Sequence, residues 1–144
     1  MAGIRVEDDA QHALLQAALA ARDNAYAPYS GFRVGAAVLD EQGRVHSGCN
    51  VENAAYPQGL CAEAAALAAM VLAGGRRATA LLVAAEPAAM SEPVTPCGGC
   101  RQKLREFACG DTPVLLADAH AIQLWFTLEQ LLPHGFGPEH LKTG

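Results

Sequence analysis

The stretch LCAEAAALAAMVLAGG, Leu60 to Gly75, followed shortly by TALLVAA, Thr79 to Ala85, decides the fold class. The first part is a run of Ala, Leu and Met, and it reads as a buried helix over about Leu60 to Ala73. Gly74-Gly75 closes it, because glycine accepts the left-handed conformation that ends helices. The second part is apolar throughout and of strand length. A buried helix leading directly into a buried strand points to a sheet with helices packed on it.

Working outward, Asp8 or Asp9 is expected to cap a helix running to about Tyr26, with Pro28 as its stop. Arg33 to Leu39 and Arg44 to Cys49 read as strands of a hairpin around a turn at Asp40-Glu41-Gln42-Gly43. Downstream, an irregular proline-containing stretch runs from Glu86 to Pro96. Cys100 to Ala108 then reads as a helix, and Pro113 to Ala117 and Ile122 to Phe126 as strands. Thr127 and Gln130 match a capping box for a last short helix that Pro133 ends. The order α-β-β-α-β-α-β-β-α predicts an α/β fold: a single mixed sheet of about five strands covered by helices on both faces. Residues 1–144 are expected to form one domain.

Composition narrows the function classes. Of 144 residues, 51% are hydrophobic, which rules out disorder, but 30 are alanine, so the core rests on Leu, Val and a few aromatic side chains. The net charge of −5 disfavours a strongly gripped polynucleotide and an anionic membrane. Arg5, Glu7, Asp8 and Asp9 interrupt any secretory signal, and Ala64 to Gly75, 12 residues, is too short to span a bilayer. A cytoplasmic location is therefore expected, with the five cysteines reduced.

Chemistry concentrates at Cys61-Ala62-Glu63 and at Pro96-Cys97-Gly98-Gly99-Cys100. Both lie where a loop turns into a predicted helix, and helix N-termini stabilise thiolates. Three thiolates and one open position describe a catalytic zinc site better than a closed structural one. Taken alone, the C-x-x-C also fits a redox pair or half of a structural zinc site, with Cys49 or Cys109 as a fourth ligand. Glu63, two residues from Cys61, is placed to move a proton beside a metal-activated water.

These motifs resemble the zinc-dependent deaminase signature. Wider stretches are similar to the small homotetrameric cytidine deaminases of pyrimidine salvage: Ala25 to Ser30, Phe32 to Ala37, Gly48 to Tyr56, Cys100-Arg101-Gln102, Leu131-Leu132-Pro133 and Phe136-Gly137. The resemblance implies one Zn²⁺ per subunit on Cys61, Cys97 and Cys100. It implies hydrolytic deamination of cytidine and 2′-deoxycytidine by zinc-activated hydroxide at C4, with Glu63 as proton shuttle. Asn50 and Glu52 are then expected at the ribose, Phe32 and the backbone at Ala62 at the base, and Tyr56 and Tyr29 lining the site or its subunit contacts. Phe136 is expected to reach into a neighbouring subunit's site. No nucleic-acid or membrane partner is implied. The chain departs from many family members at Ala64, where they carry an Arg that hydrogen-bonds the thiolates. Gln102 is expected on a ligand sulfur, and Arg101 as a substitute cation beside the thiolates.

Overall fold

A computed structural model of the protein describes residues 5–87 and 92–142. Five strands form one sheet: β1 (Val34–Asp40), β2 (Val45–Cys49), β3 (Ala78–Ala85), β4 (Pro113–Ala117) and β5 (Ile122–Thr127), in spatial order β2-β1-β3-β4-β5. β1 pairs antiparallel with β2 and β3, β4 pairs antiparallel with β5, and β3 runs parallel to β4. The sheet is mixed, as expected.

Strand alternation splits the core into two layers. Val38, Leu81, Val83, Val114 and Leu116 point to one face, where they meet Ala66, Leu67 and Met70 of α2 (Ala62–Leu72), Leu104 of α3 (Gly98–Arg105) and Leu128 of α4 (Leu128–Leu131). Ala37, Leu82, Ala84 and Leu115 point to the other face and meet Leu14 and Ala18 of α1 (Asp8–Asp23). The alanine-rich composition has its use here. Small side chains let helix and sheet backbones come close.

Between α2 and the sheet, that approach is close at Gly48 of β2. A Cβ there would lie 2.5 Å from the Ala66 nitrogen and 2.7 Å from the Ala62 carbonyl oxygen. Only glycine lets α2 lie flush on this strand. At its far end α2 closes as the sequence implies: Gly74 takes φ +97°, Gly74 N–H donates to Val71 and Gly75 N–H to Met70.

Several boundaries differ from the sequence reading. α1 ends at Asp23 rather than about Tyr26, because the Tyr26 N–H donates instead to the Asn50 carbonyl at 3.0 Å, joining the chain to the end of β2. The N-cap of α1 is Glu7, with Asp8 and Asp9 inside the first turn, favourable against the helix dipole. α3 begins at Gly98, before the expected Cys100. The capping box of Thr127 and Gln130 is present on both sides. Of the irregular stretch 86–96, residues 88–91 lie outside the described residues, and its flanks are neither helix nor strand.

Topology places the site. α2 leads into β3 and α3 leads out of it, so both helices begin near the carboxyl end of β3. Ligand sites of α/β sheets form beyond strand carboxyl ends.

Candidate active site and metal centre

Cys61 is the N-cap residue of α2, Cys97 the N-cap residue of α3, and Cys100 lies in the first turn of α3. Their sulfurs lie within 4.8 Å of one another, and those of Cys61 and Cys97 are 3.9 Å apart. Two thiolates on a tetrahedral zinc at about 2.3 Å would be about 3.8 Å apart, so the spacing fits. Cys49 and Cys109 stand outside this group; the Cys49 thiol meets the Asn24 carbonyl instead.

The donor set asks for a cation. Burial pushes the Cys61 and Cys100 thiols above the usual range. Burial also opposes ionisation of Cys97, but the Cys100 N–H and the two neighbouring thiols outweigh it and lower its pKa. Thiolates must form for metal to bind, and a divalent ion supplies the charge that stabilises three of them together. One Zn²⁺ fits these three side chains.

Glu63 is 5% exposed. Burial raises its pKa, against its own backbone N–H and the Cys100 thiol, which favour the charged form. The carboxyl borders a cavity of about 360 Å³ that also touches Phe32, Asn50, Glu52, Tyr56, Cys61, Ala62 and Cys97. A second hollow of about 380 Å³, bordered by Tyr29, Ser30, Glu52 and Tyr56, shares this wall. The pair makes a cleft with the thiols and Glu63 at one end and Glu52 between its halves.

Two anchors shape the cleft. The Asn50 side-chain oxygen accepts from Val34 N–H at 2.9 Å and its amide donates to the Phe32 carbonyl at 2.8 Å, which fixes the approach to β1. Each end of that amide keeps one further hydrogen-bonding site. The Glu52 carboxylate accepts from the Ser30 hydroxyl and from the N–H groups of Tyr29 and Ser30, which hold its pKa below the usual carboxylate range. Tyr29 and Tyr56 meet edge to face with centroids 6.0 Å apart.

Two expected residues, Arg101 and Gln102, are placed otherwise. Arg101 gives its guanidinium to the Pro96 carbonyl, the Leu131 carbonyl and the Thr95 hydroxyl, so its charge is spent on a loop and not on the thiolates. The Gln102 amide donates to the Phe136 carbonyl at 2.9 Å rather than to a ligand sulfur, because α3 turns it toward the tail. Phe136 is 54% exposed and stacks on His140, away from the residues that border its own chain's cleft. Ala64 opens onto an outer groove beside Gln102 and Lys103. The sequence reading gave no role to Ser30, Val94 or Thr95, which border the cleft. Ser30 had available signals in its place at the end of the Ala25 to Ser30 stretch and two residues before Phe32.

Residues 8–116 match the family described as the cytidine and deoxycytidylate deaminase zinc-binding region. A cytidine deaminase of Sporosarcina psychrophila is 44% identical over 122 residues, 85% of this chain and 88% of its own length. One from Mycobacterium tuberculosis is 44% identical over 81% of this chain and 82% of its own length. The crystal structure of cytidine deaminase from Burkholderia pseudomallei superposes with a TM-score of 0.78 at 42% identity, covering 87% of this chain and 98% of that one. With its three thiols and buried glutamate at two converging helix starts, the chain belongs to the cytidine and deoxycytidylate deaminase family.

Proposed function

We propose that the protein hydrolyses cytidine and 2′-deoxycytidine to uridine and 2′-deoxyuridine, releasing ammonia. The observation that carries this is the buried Glu63 carboxyl beside Cys61, Cys97 and Cys100 at one end of a cleft whose two hollows measure about 360 and 380 Å³. When bound by these thiolates, zinc makes water acidic near neutral pH. Glu63 takes a proton and delivers it to ring N3, which leaves C4 electrophilic. The water oxygen adds to C4, and Glu63 takes the second water-derived proton from that oxygen and delivers it to the departing amino group, so that the C4–N bond breaks as the C4 carbonyl forms. The balance is one water consumed, one C4–N bond broken, one C4 carbonyl formed and one ammonia released. The raised pKa of Glu63 suits a group that must both accept and return a proton.

Phe32 packs against the base, the backbone at Ala62 hydrogen-bonds it, and Asn50 and Glu52 hold the ribose. An ionised Glu52 repels a 3′-phosphate, which favours a free nucleoside over a nucleic acid. Zinc-loaded protein should release ammonia from cytidine and 2′-deoxycytidine, and far less from cytosine, CMP or blasticidin S. Preference for CMP or blasticidin S would overturn the reading.

A homotetramer with shared active sites is part of the proposal. Phe136 is exposed and turned from its own cleft, which suits a side chain that covers the base in another subunit. The outer face of α2 and α3, with Leu72 at 91% exposure beside Val71 and Phe107, is apolar enough to be a subunit contact. Phe136→Ala should raise KM for cytidine while the protomer's melting temperature stays near that of the parent. A fully active monomer at assay concentration would exclude shared sites. Among the described residues no helix is long and apolar enough to cross a membrane.

A further inference from the structure

The hydroxyl of Ser30 stands between two residues assigned to the substrate. It donates to Glu52 Oε2 and accepts from the Phe32 N–H at 2.9 Å. The other carboxylate oxygen, Oε1, accepts from Tyr29 N–H at 2.9 Å and from Ser30 N–H at 3.1 Å. Consecutive N–H groups converging on one oxygen form an anion-binding concavity. The loop from Tyr29 to Phe32 is therefore built around a carboxylate that lies 22 positions away from Ser30 in the chain.

Counting acceptor sites gives this arrangement a consequence. An ionised carboxylate offers about four lone-pair directions. Two N–H groups fill those of Oε1, and the Ser30 hydroxyl fills one of Oε2. One remains, on a residue that borders both halves of the cleft. We propose that Ser30 is a positioning residue for substrate specificity: it fixes Oε2 so that Glu52 presents a single acceptor to a single ribose hydroxyl, the 3′-hydroxyl. The inference rests on the reading that Glu52 meets the ribose. With this geometry Glu52 would require the 3′-hydroxyl yet tolerate loss of the 2′-hydroxyl. A carboxylate with both Oε2 directions free and a mobile side chain could grip the two vicinal hydroxyls together.

The test compares kcat/KM for cytidine and for 3′-deoxycytidine in four proteins: the parent, Ser30→Ala, Ser30→Thr and Glu52→Gln. Zinc content and melting temperature are measured in each. In Ser30→Ala the advantage of cytidine over 3′-deoxycytidine should fall about tenfold or more, mostly through KM, as expected for losing one hydrogen bond to a charged group. Ser30→Thr keeps the hydroxyl and should keep the advantage. General loosening of the loop would depress both substrates alike and leave the ratio unmoved, and that result overturns the proposal. Collapse of the ratio in Ser30→Thr would overturn it as well. If Glu52→Gln erases the ratio and Ser30→Ala does not, the role of Ser30 alone is wrong. If Glu52→Gln leaves the ratio unchanged, Glu52 does not read the 3′-hydroxyl and the reading beneath the proposal fails. Ser30→Cys, close in size with a much weaker donor, gives the same comparison should Ser30→Ala not fold.

Discussion

Arg101 Nε donates to the Pro96 carbonyl at 2.7 Å, and the residue after Pro96 is the ligand Cys97. The same guanidinium reaches the Leu131 carbonyl at 2.7 Å and the Thr95 hydroxyl at 3.0 Å. One side chain of α3 thus ties the loop in front of its own helix to the end of α4. Groups that orient metal ligands from behind are typically worth about 10–100-fold in metal affinity. Arg101→Ala should lower zinc affinity by about tenfold or more in a chelator competition. Arg101→Lys should not restore it, since one ammonium cannot reproduce three bonds in a fixed fork. Unchanged affinity in Arg101→Ala would show that the loop holds Cys97 without this clamp.

Glu63→Gln keeps the size and shape of the side chain and removes its capacity to carry a proton. Zinc content and melting temperature should match the parent, while kcat for cytidine falls by about 10²–10⁴-fold. Parent-like turnover in a fully zinc-loaded Glu63→Gln protein would remove Glu63 from the proton path.

Local signals in the chain were legible and long-range ones were not. Thr127 with Gln130, and Gly74 with Gly75, announce helix ends because the bonds that form there join residues a few positions apart. The three cysteines and Glu63 were legible for a similar reason: each pair is fixed to one helix start, and only their meeting needed the fold. α3 begins earlier than its local sequence implies, because Gly98-Gly99 has poor helix propensity, which packing of Cys100 and Leu104 overrides. α1 is shorter than its periodicity implies, because its end is set by a bond from Tyr26 to Asn50. The strand order and the contacts of Arg101, Gln102 and Ser30 likewise depend on residues distant in sequence. Charge and residue type suggested that Arg101 faces the thiolates, and position decided otherwise.

Asp40 shows where stability depends on pH. It is 1% exposed, and its carboxylate accepts from the N–H groups of Gln42 and Arg44, from Arg44 Nε and from His46 Nε2. Burial disfavours its charge, but the bonds from His46, Arg44 and Gln42 outweigh burial and hold the pKa well below the usual carboxylate range. A depressed folded-state pKa contributes stability above the unfolded value of about 3.9, and that contribution fades as pH falls through the folded value. Asp40→Asn should therefore be less stable than the parent at pH 7, by about 3 kcal/mol for a broken buried pair. The gap between the two melting temperatures should narrow as pH falls below about 4. A gap that widens below that pH would assign the stabilising charge to another group.

Gly48 couples the sheet to α2, and it offers a direct test of how the fold sets the site. A Cβ at this position would lie 2.6 Å from Ala65 Cβ, 2.5 Å from the Ala66 nitrogen and 2.7 Å from the Ala62 oxygen. Two of those three atoms are backbone, so no rotamer change can relieve the overlap and α2 must move as a body. Overpacking of this kind typically costs about 1–3 kcal/mol. The first turn of α2 carries Ala62 and Glu63, with Cys61 as its cap, so the same movement displaces a candidate zinc ligand and the proposed proton carrier together. Gly48→Ala should lower the melting temperature, weaken zinc binding in a chelator titration and reduce kcat even when zinc is saturating. Gly43→Ala is the control: it lies in the hairpin turn with nothing within 4 Å of its added Cβ but with φ +79°, so it strains the backbone away from α2. It should reduce stability while zinc affinity and kcat stay at parent values. Equal damage to zinc affinity in both variants would mean that general destabilisation, and not the seating of α2 on β2, governs the metal centre.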